Sequence, residues 1–386
     1  MINFDFNKFC YSCGLCSYIC PVDAITYSDD LFPVVDVNKC IDCHKCEKEC
    51  LYLNDEMFTT SNMEKRAKGY VCKNLDFKER NQSSSGGIFI LLAKQILREG
   101  GYVCGCIYDE RFMPKHVITN NIKLVNKMMG SKYVKSDLVN CIEAIKKCIT
   151  KNKKILFVGT PCQIGMLKNV FNDNKNLILV SVVCHGCISR DMWKSFLKSE
   201  EKYKKIVGIT MRDKTKGWAN YGLKILFEDG KTHVTYRNDD GYFLKCFTDG
   251  YLDQDRCLTC NFKGDRIFAD ILLGDGWGMD TIFPEMTDEY GVSSVMILTD
   301  KGERLFCKLD SFSFEKKTIN ANIIMQNNSR IVSPPNEEME RIKFYKEYIA
   351  HPDDISDICK KFILRRKTLL QRVKRKILNT KRRGES

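Results

Sequence analysis

A chain of 386 residues, 44% hydrophobic with 22 Phe and 16 Tyr, is long enough for two or three domains and can bury a large core. Its 21 cysteines, with no membrane-length apolar run and no export signal at the start, predict a reducing cytoplasm in which thiols hold metal or stay free, which sets disulfides aside. The formal net charge of +13 is not a nucleic-acid signal, because residues 360–386 carry 12 Lys or Arg against Glu385 alone, a net of +11, and leave about +2 for the rest.

The first fifty residues hold two successive C-x-x-C-x-x-C-x-x-x-C runs, Cys10, Cys13, Cys16 and Cys20 before Pro21, then Cys40, Cys43, Cys46 and Cys50. Three close thiolates hold three corners of one 4Fe-4S cube, and the fourth of each run serves the other cube, as in two-cluster bacterial ferredoxins. Cys10, Cys13, Cys16 and Cys50 are thus expected on one cube and Cys40, Cys43, Cys46 and Cys20 on the other. Zinc favours two ligand pairs with a spacer, so these triplets with a remote fourth ligand point away from it. Leu51 stands where a second proline is expected, which leaves the ligands intact.

Polar residues from Asn54 to Lys68 read as a linker, placed at 56–80 between a 1–55 ferredoxin domain and the larger remainder of the chain. Ser83-Ser84-Ser85-Gly86-Gly87 then precedes a helical stretch, Ile88 to Leu97, closed by Gly100-Gly101 before a strand, Tyr102 to Tyr108. A strand from Lys154 to Val158 runs through Gly159-Thr160-Pro161-Cys162 into a helix over Gln163 to Val170, with Pro161 in its first turn. Leu177 to Val183 is a strand ending at Cys184-His185-Gly186-Cys187, and Ser189 caps the next helix. Tyr221 to Tyr236 reads as a hairpin turning at Asp229-Gly230. At the end, Phe362, Ile363, Leu369, Leu370, Val373 and Ile377 share one helical face among basic residues, which suits an anionic membrane surface or an acidic partner, or else a solvated terminal helix. Gly274-Asp275-Gly276-Trp277-Gly278 fails as a dinucleotide fingerprint at Met279.

Seven segments occur in a family's order: Ser84 to Gly87, Gly130-Ser131-Lys132-Tyr133, Gly159 to Gln163, Cys184-His185-Gly186, Arg212-Asp213-Lys214, Cys257-x-x-Cys260 and Gly274 to Gly278. Over residues 70 to 305 the chain resembles the beta subunits of the deazaflavin-dependent (coenzyme F-420) hydrogenases and formate dehydrogenases, a family that includes 7-hydroxymethyl chlorophyll a reductase. The resemblance implies FAD and a third 4Fe-4S cluster, the latter on Cys162, Cys184, Cys257 and Cys260. It implies a flavin site drawn from Ser85, Gly86, Gly87, Ser131, Lys132, Tyr133, Gly159, Thr160, Gln163, Arg212 and Lys214. Cys187 leaves an alternative open, since Cys184-x-x-Cys187 with Cys257-x-x-Cys260 makes a four-thiolate zinc set.

Gly86-Gly87 at a helix start offers backbone N–H groups to the FAD pyrophosphate, or is an ordinary helix cap. Lys132 and Lys214 offer charge to the diphosphate or reduced flavin, or are surface lysines. His185 is a proton donor near the flavin, or orients the loop of a ligand cysteine. His185 and Lys214 are the expected catalytic residues.

The expected fold is α+β: a ferredoxin-like module with two 4Fe-4S clusters, a mixed α/β flavin-binding domain over 81–355 with parts at 81–150 and 151–310, and a basic C-terminal helix at 356–386. The expected function is an iron–sulfur flavoprotein oxidoreductase, cytoplasmic or peripheral at the inner face of the membrane through its tail. It passes electrons from a ferredoxin or similar one-electron donor through its clusters to FAD and on to a small organic acceptor, with no nucleic-acid partner. The alternative is an electron-transfer subunit of a larger redox complex without its own substrate site.

Overall fold

The computed structural model describes residues 2–54, 62–202, 204–335 and 339–366. In the N-terminal module the two cysteine runs wrap in the same way. Ser12 (φ 46) and Gly14 (φ 84) in the first run match Asp42 (φ 50) and His44 (φ 58) in the second. Left-handed residues that flank the middle cysteine curl the backbone so that successive N–H groups turn inward, the geometry of an anion-binding nest. Each curl leads into a single helical turn, Leu15–Tyr18 and Lys45–Lys48. Between the runs, β1 (Ile25–Tyr27) and β2 (Pro33–Val35) pair antiparallel, Ile25 opposite Val35.

The stretch expected to be a linker contains β3 (Lys68–Asn74), an inner strand of an eight-stranded sheet. Lys68 and Lys73 give it a polar sequence, but Val71 and Cys72 are fully buried. Gly69 lets a neighbour approach, since a Cβ there would stand 2.4 Å from the Ile319 carbonyl oxygen. The chain continues through β4 (Tyr102–Tyr108), β5 (Pro114–Thr119), β6 (Ile155–Gly159) and β7 (Leu177–Val182). It then makes β8 (Ile206–Asp213), β9 (Gly222–Phe227), β10 (Thr232–Tyr236), β11 (Ile271–Asp275), β12 (Ser293–Ile297) and β13 (Phe314–Ile319). The large sheet has the order β13-β3-β12-β11-β7-β6-β4-β5. Its centre, β4-β6-β7-β11, is parallel, and the flanking pairs are antiparallel.

Strands covered on both faces read as continuous apolar runs, as in Ile155-Leu-Phe-Val and Leu177-Ile-Leu-Val. Their side chains alternate between two cores. Leu156, Ile178, Val180 and Ile271 pack on the side of the helix Ile88–Arg98. Ile155, Phe157, Leu177 and Leu272 pack on the side of the helix Pro161–Phe171, and Tyr11, Leu15 and Leu51 of the N-terminal module join that core. The module is therefore docked on this face, with the Tyr11 and Phe262 rings edge to face at 5.0 Å.

The hairpin at Asp229-Gly230 is present and gains a third strand, giving the sheet β10-β9-β8. A separate aromatic core under it joins Trp193, Phe196, Phe243, Phe247, Tyr251 and Phe344 to Phe362 and Ile363. Residues 355–366 are helical. Phe362 and Ile363, expected on the outward apolar face of a tail, are thus spent on this core. Leu369, Leu370, Val373 and Ile377 lie outside the described residues. No described helix is long and apolar enough to cross a membrane.

Candidate functional site

The structure sorts the N-terminal cysteines across the two runs. Cys20, Cys40, Cys43 and Cys46 line one small pocket with Pro21 and Ile41. Cys10, Cys13, Cys16 and Cys50 form the other group, near enough to raise one another's pKa. Burial and then neighbouring sulfurs push Cys10 and Cys13 up to about 12. As thiolates these groups need multivalent positive charge among them, which iron supplies. Backbone N–H groups already point at sulfur, Ser12 to Cys10 Sγ and Ala24 to Cys20 Sγ, each at 3.3 Å.

A further five cysteines meet beyond Cys10. Strands β6 and β7 are parallel neighbours, so their C-terminal ends lie side by side, where open α/β sheets collect functional groups. Cys162 sits in the first helical turn after β6, and Cys184 and Cys187 follow β7. Cys257 is carried on the short helix Asp255–Leu258, and Cys260 follows it. These five line one pocket with Cys10, Tyr11, Lys135, Arg256 and Lys263. The Cys187 thiol lies between Cys184 and Cys257 and bonds to both. That bond pulls Cys184 down to about 6, whereas burial, and then the charge of Cys162, pushes Cys260 up to about 12. Among the described residues, no three His, Cys, Asp or Glu side chains close around one point as a single-ion site requires. Three cations line the pocket and no carboxylate does, so its chemistry fits an anionic occupant.

On the other side of Cys184–Cys187 opens a cleft of about 660 Å³. The helix Ile88–Arg98 points its N-terminus there: its N-cap is Gly87 (φ 78), no side chain caps it, and its first turn holds no acid. Gly87, Ile88 and Phe89 line the cleft, with Ser85, Ser131, Lys132, Tyr133, Gly159, Thr160, Gln163, His185 and Arg212. Of the expected flavin residues, Gly86 and Lys214 stand outside this lining. The Gly86 N–H donates to Ser293 Oγ at 2.9 Å, and a Cβ there would meet the Cys72 oxygen at 2.4 Å. Lys214 is buried behind the wall, where Nζ donates to the carbonyls of Arg80, Ser85 and Tyr290 at 2.9, 3.1 and 2.7 Å. Burial, and then the charge of Arg212, lowers Lys214 to about 7. Its place is that of a brace under the serine loop.

Several lining residues also serve the frame. Arg212 grips Asp275 with both terminal nitrogens at 3.1 and 3.2 Å, and adds Tyr133 Oη at 3.2 Å and the Ser84 carbonyl at 2.8 Å. Gln163 accepts from the Thr160 N–H at 2.9 Å and donates to Ser136 Oγ at 2.9 Å, so both ends of its amide are used. Lys132 Nζ donates to the carbonyls of Met129 and Gly130, each at 3.1 Å. His185 lies in the wall against the Phe247 ring, and burial, with Arg330 and Lys263 nearby, lowers it to about 4, so its ring is neutral at pH 7.

Sequence reasoning missed Lys135 and Asp253. Lys135 follows the Gly130–Tyr133 motif by two residues and has no signal of its own. Asp253 is fully buried, and Gly186 abuts its carboxylate. That packing is invisible in a sequence.

Clustered cysteines in three groups, the last against a large cleft, are an arrangement suited to iron–sulfur clusters. Residues 152–321 match the family model for the C terminus of the coenzyme F420 hydrogenase/dehydrogenase beta subunit, and this segment belongs to that family. It holds all five cysteines of the third centre. A chain of the F420-reducing NiFe hydrogenase complex from Methanosarcina barkeri is similar at 20% identity and a TM-score of 0.46, over 78% of this chain and 92% of that one. No curated protein matches the sequence.

Proposed function

We propose that this protein is an iron–sulfur flavoprotein that relays single electrons from a ferredoxin-type donor, through its cysteine centres, to FAD in the cleft and on to an organic acceptor. The observation that carries this reading is the loop from Cys184 to Cys187, which borders both the five-cysteine pocket and the cleft. Cys10 and Tyr11 border the same pocket from the N-terminal module. The Cys10 group, the five-cysteine pocket and the cleft therefore adjoin in that order.

Clusters supply one-electron transfer, and FAD pairs two electrons so that they can leave as a hydride. The two N-terminal groups of four thiols suit two cubes. Cys162, Cys184, Cys257 and Cys260 suit a third, with Cys187 as a thiol donor to two of them. In the cleft, the free N–H groups of the helix after Gly87 suit a pyrophosphate. Ser84 and Ser131, whose hydroxyls bond at 2.7 Å, border the same end. His185 presents a neutral imidazole on the wall, with one ring nitrogen a hydrogen-bond donor and the other an acceptor.

The family description, a beta subunit, favours a second reading in which the chain feeds a partner enzyme. Val34, Val37 and Ile41 are exposed beside the outer cysteine group and offer an apolar place for a redox protein to dock. Rapid mixing of reduced ferredoxin with anaerobically prepared protein tests the main reading. Flavin absorbance is expected to bleach in the wild type and far more slowly in Cys162→Ala, which should lack about four iron atoms. Equal bleaching in both proteins rejects the route through Cys162. Transfer to dyes but to no metabolite in the isolated chain, restored by a partner, supports the subunit reading.

A further inference from the structure

We propose that Lys135 is a fixed positive charge between two electron centres, and that it raises the reduction potential of the Cys162 centre more than that of the adjoining N-terminal centre. The proposal rests on the reading that Cys162 and its neighbours hold an iron–sulfur cluster. Lys135 is 3% exposed, and its Nζ stands 3.7 Å from Cys162 Sγ. The side chain lines the five-cysteine pocket, and its electrostatic neighbours are Cys162, Cys187, Cys257 and, from the N-terminal module, Cys13.

Two features mark this lysine as more than filler. Its backbone is held, because Val134 and Ile188 form a β-bridge, its N–H donates to the Ile188 carbonyl, and its own carbonyl accepts from Arg190 at 3.1 Å. With the side chain only 3% exposed as well, the ammonium is kept from water. It also has no carboxylate partner among the described residues; the acceptor its Nζ meets is a cysteine sulfur. A buried ammonium with no counter-charge is strongly disfavoured, and neutral thiols do not compensate it. The thiolates around a cluster do.

A cluster with four thiolates is anionic and gains one more negative charge on reduction. A nearby fixed cation stabilises the reduced form more than the oxidised one, most strongly where it stands closest in a water-poor site. Among the described residues, the sulfur that Lys135 Nζ meets within hydrogen-bond reach is that of Cys162, and none from the N-terminal module is. Lys135 therefore biases one electron toward the cleft side, with no bond made or broken and no proton taken up. Lys135 acts through the thiolates and is a positioning charge rather than a catalytic residue.

Redox titration of the full chain, followed by electron paramagnetic resonance, tests this on wild type, Lys135→Met and Lys135→Arg, with iron counted in each. The expected result is a lower midpoint for the Cys162 centre in Lys135→Met, a smaller drop for the Cys13 centre, none for the Cys40 centre, and near wild-type values in Lys135→Arg. Full iron with unmoved midpoints in Lys135→Met overturns the proposal. Should Lys135→Met lose iron, Lys135→Arg decides: wild-type iron and midpoints support the charge, and iron loss there too overturns it. A wild-type count of about eight irons instead overturns the three-cluster reading itself.

Discussion

Gly186→Ala probes the wall between the third cysteine centre and the cleft. An alanine Cβ at this position would stand 2.2 Å from Asp253 Oδ1, 2.3 Å from its Cγ and 2.4 Å from Oδ2. Asp253 cannot yield easily. It is fully buried, its carbonyl accepts from Arg341 at 2.7 Å and Tyr345 at 3.1 Å, and its backbone bridges to Ile188. The loop must then move by about 1 Å or tilt, and overpacking of this kind costs about 1–3 kcal/mol, from which the entropy lost by the unfolded chain subtracts only about 0.5 kcal/mol. The melting temperature should fall by about 1–3 °C. Because Cys184 and Cys187 flank the alanine, iron at the third centre and flavin should fall together. Gly230→Ala is the control: its φ of 78° costs an alanine about 1 kcal/mol, but nothing lies within 4 Å of the added carbon. Comparable destabilisation with full iron and flavin is expected there. Iron and flavin assays with thermal unfolding read all of this, and a Gly186→Ala protein with wild-type melting and full cofactor content would refute the shared-wall argument.

Arg212→Lys should cost about 2–3 kcal/mol, since a single ammonium cannot reproduce the fork on Asp275 while also reaching Tyr133 and Ser84; unchanged melting and flavin retention would contradict this. His116 is held by the Val158 carbonyl and Ser136 Oγ, each at 3.0 Å, and burial lowers it to about 4 from 6.5. The unfolded chain takes up this proton below pH 6.5 and the folded chain does not, so the stability is present above 6.5 and is lost toward pH 4, about 3 kcal/mol in all. Urea unfolding across that range should slope less in His116→Gln, and equal slopes would reject the assignment. Ending the chain at residue 354 removes Ile355, Ile358, Phe362 and Ile363 from the second core, a loss of about 6–12 kcal/mol, enough to unfold that part. Ending it at 366 keeps that core; circular dichroism separates the two cases. Binding of the longer form to anionic vesicles tests the basic tail, and binding equal to that of the full chain rules out a membrane role for residues 367–386.

The cysteine groups were the most legible part of the sequence, because C-x-x-C-x-x-C binds its ligands within one local turn and the exchange of fourth ligands follows from reach. The parallel units around β6 and β7 were legible for a similar reason: two covered faces demand runs such as Ile155–Val158. β3 escaped because lysines at both ends disguise a strand whose centre is buried. The glycine and lysine assignments diverged on tertiary grounds. Gly87 does open a helix N-terminus on the cleft, whereas Gly86 gives its N–H to Ser293, a partner over two hundred residues away. Lys214 belongs to a motif beside the cleft, but its ammonium turns to three carbonyls that no local pattern announces. Phe362 fits the face of a free amphipathic helix as well as it fits a core, and only Tyr251 and Phe344 beside it decide between them.

Iron, zinc and flavin counted per chain after anaerobic purification test the central claim most directly. Three cysteine centres and one occupied cleft predict about 12 iron atoms, one FAD and no zinc. About eight iron atoms with one zinc, or a chain that retains no flavin, would contradict it.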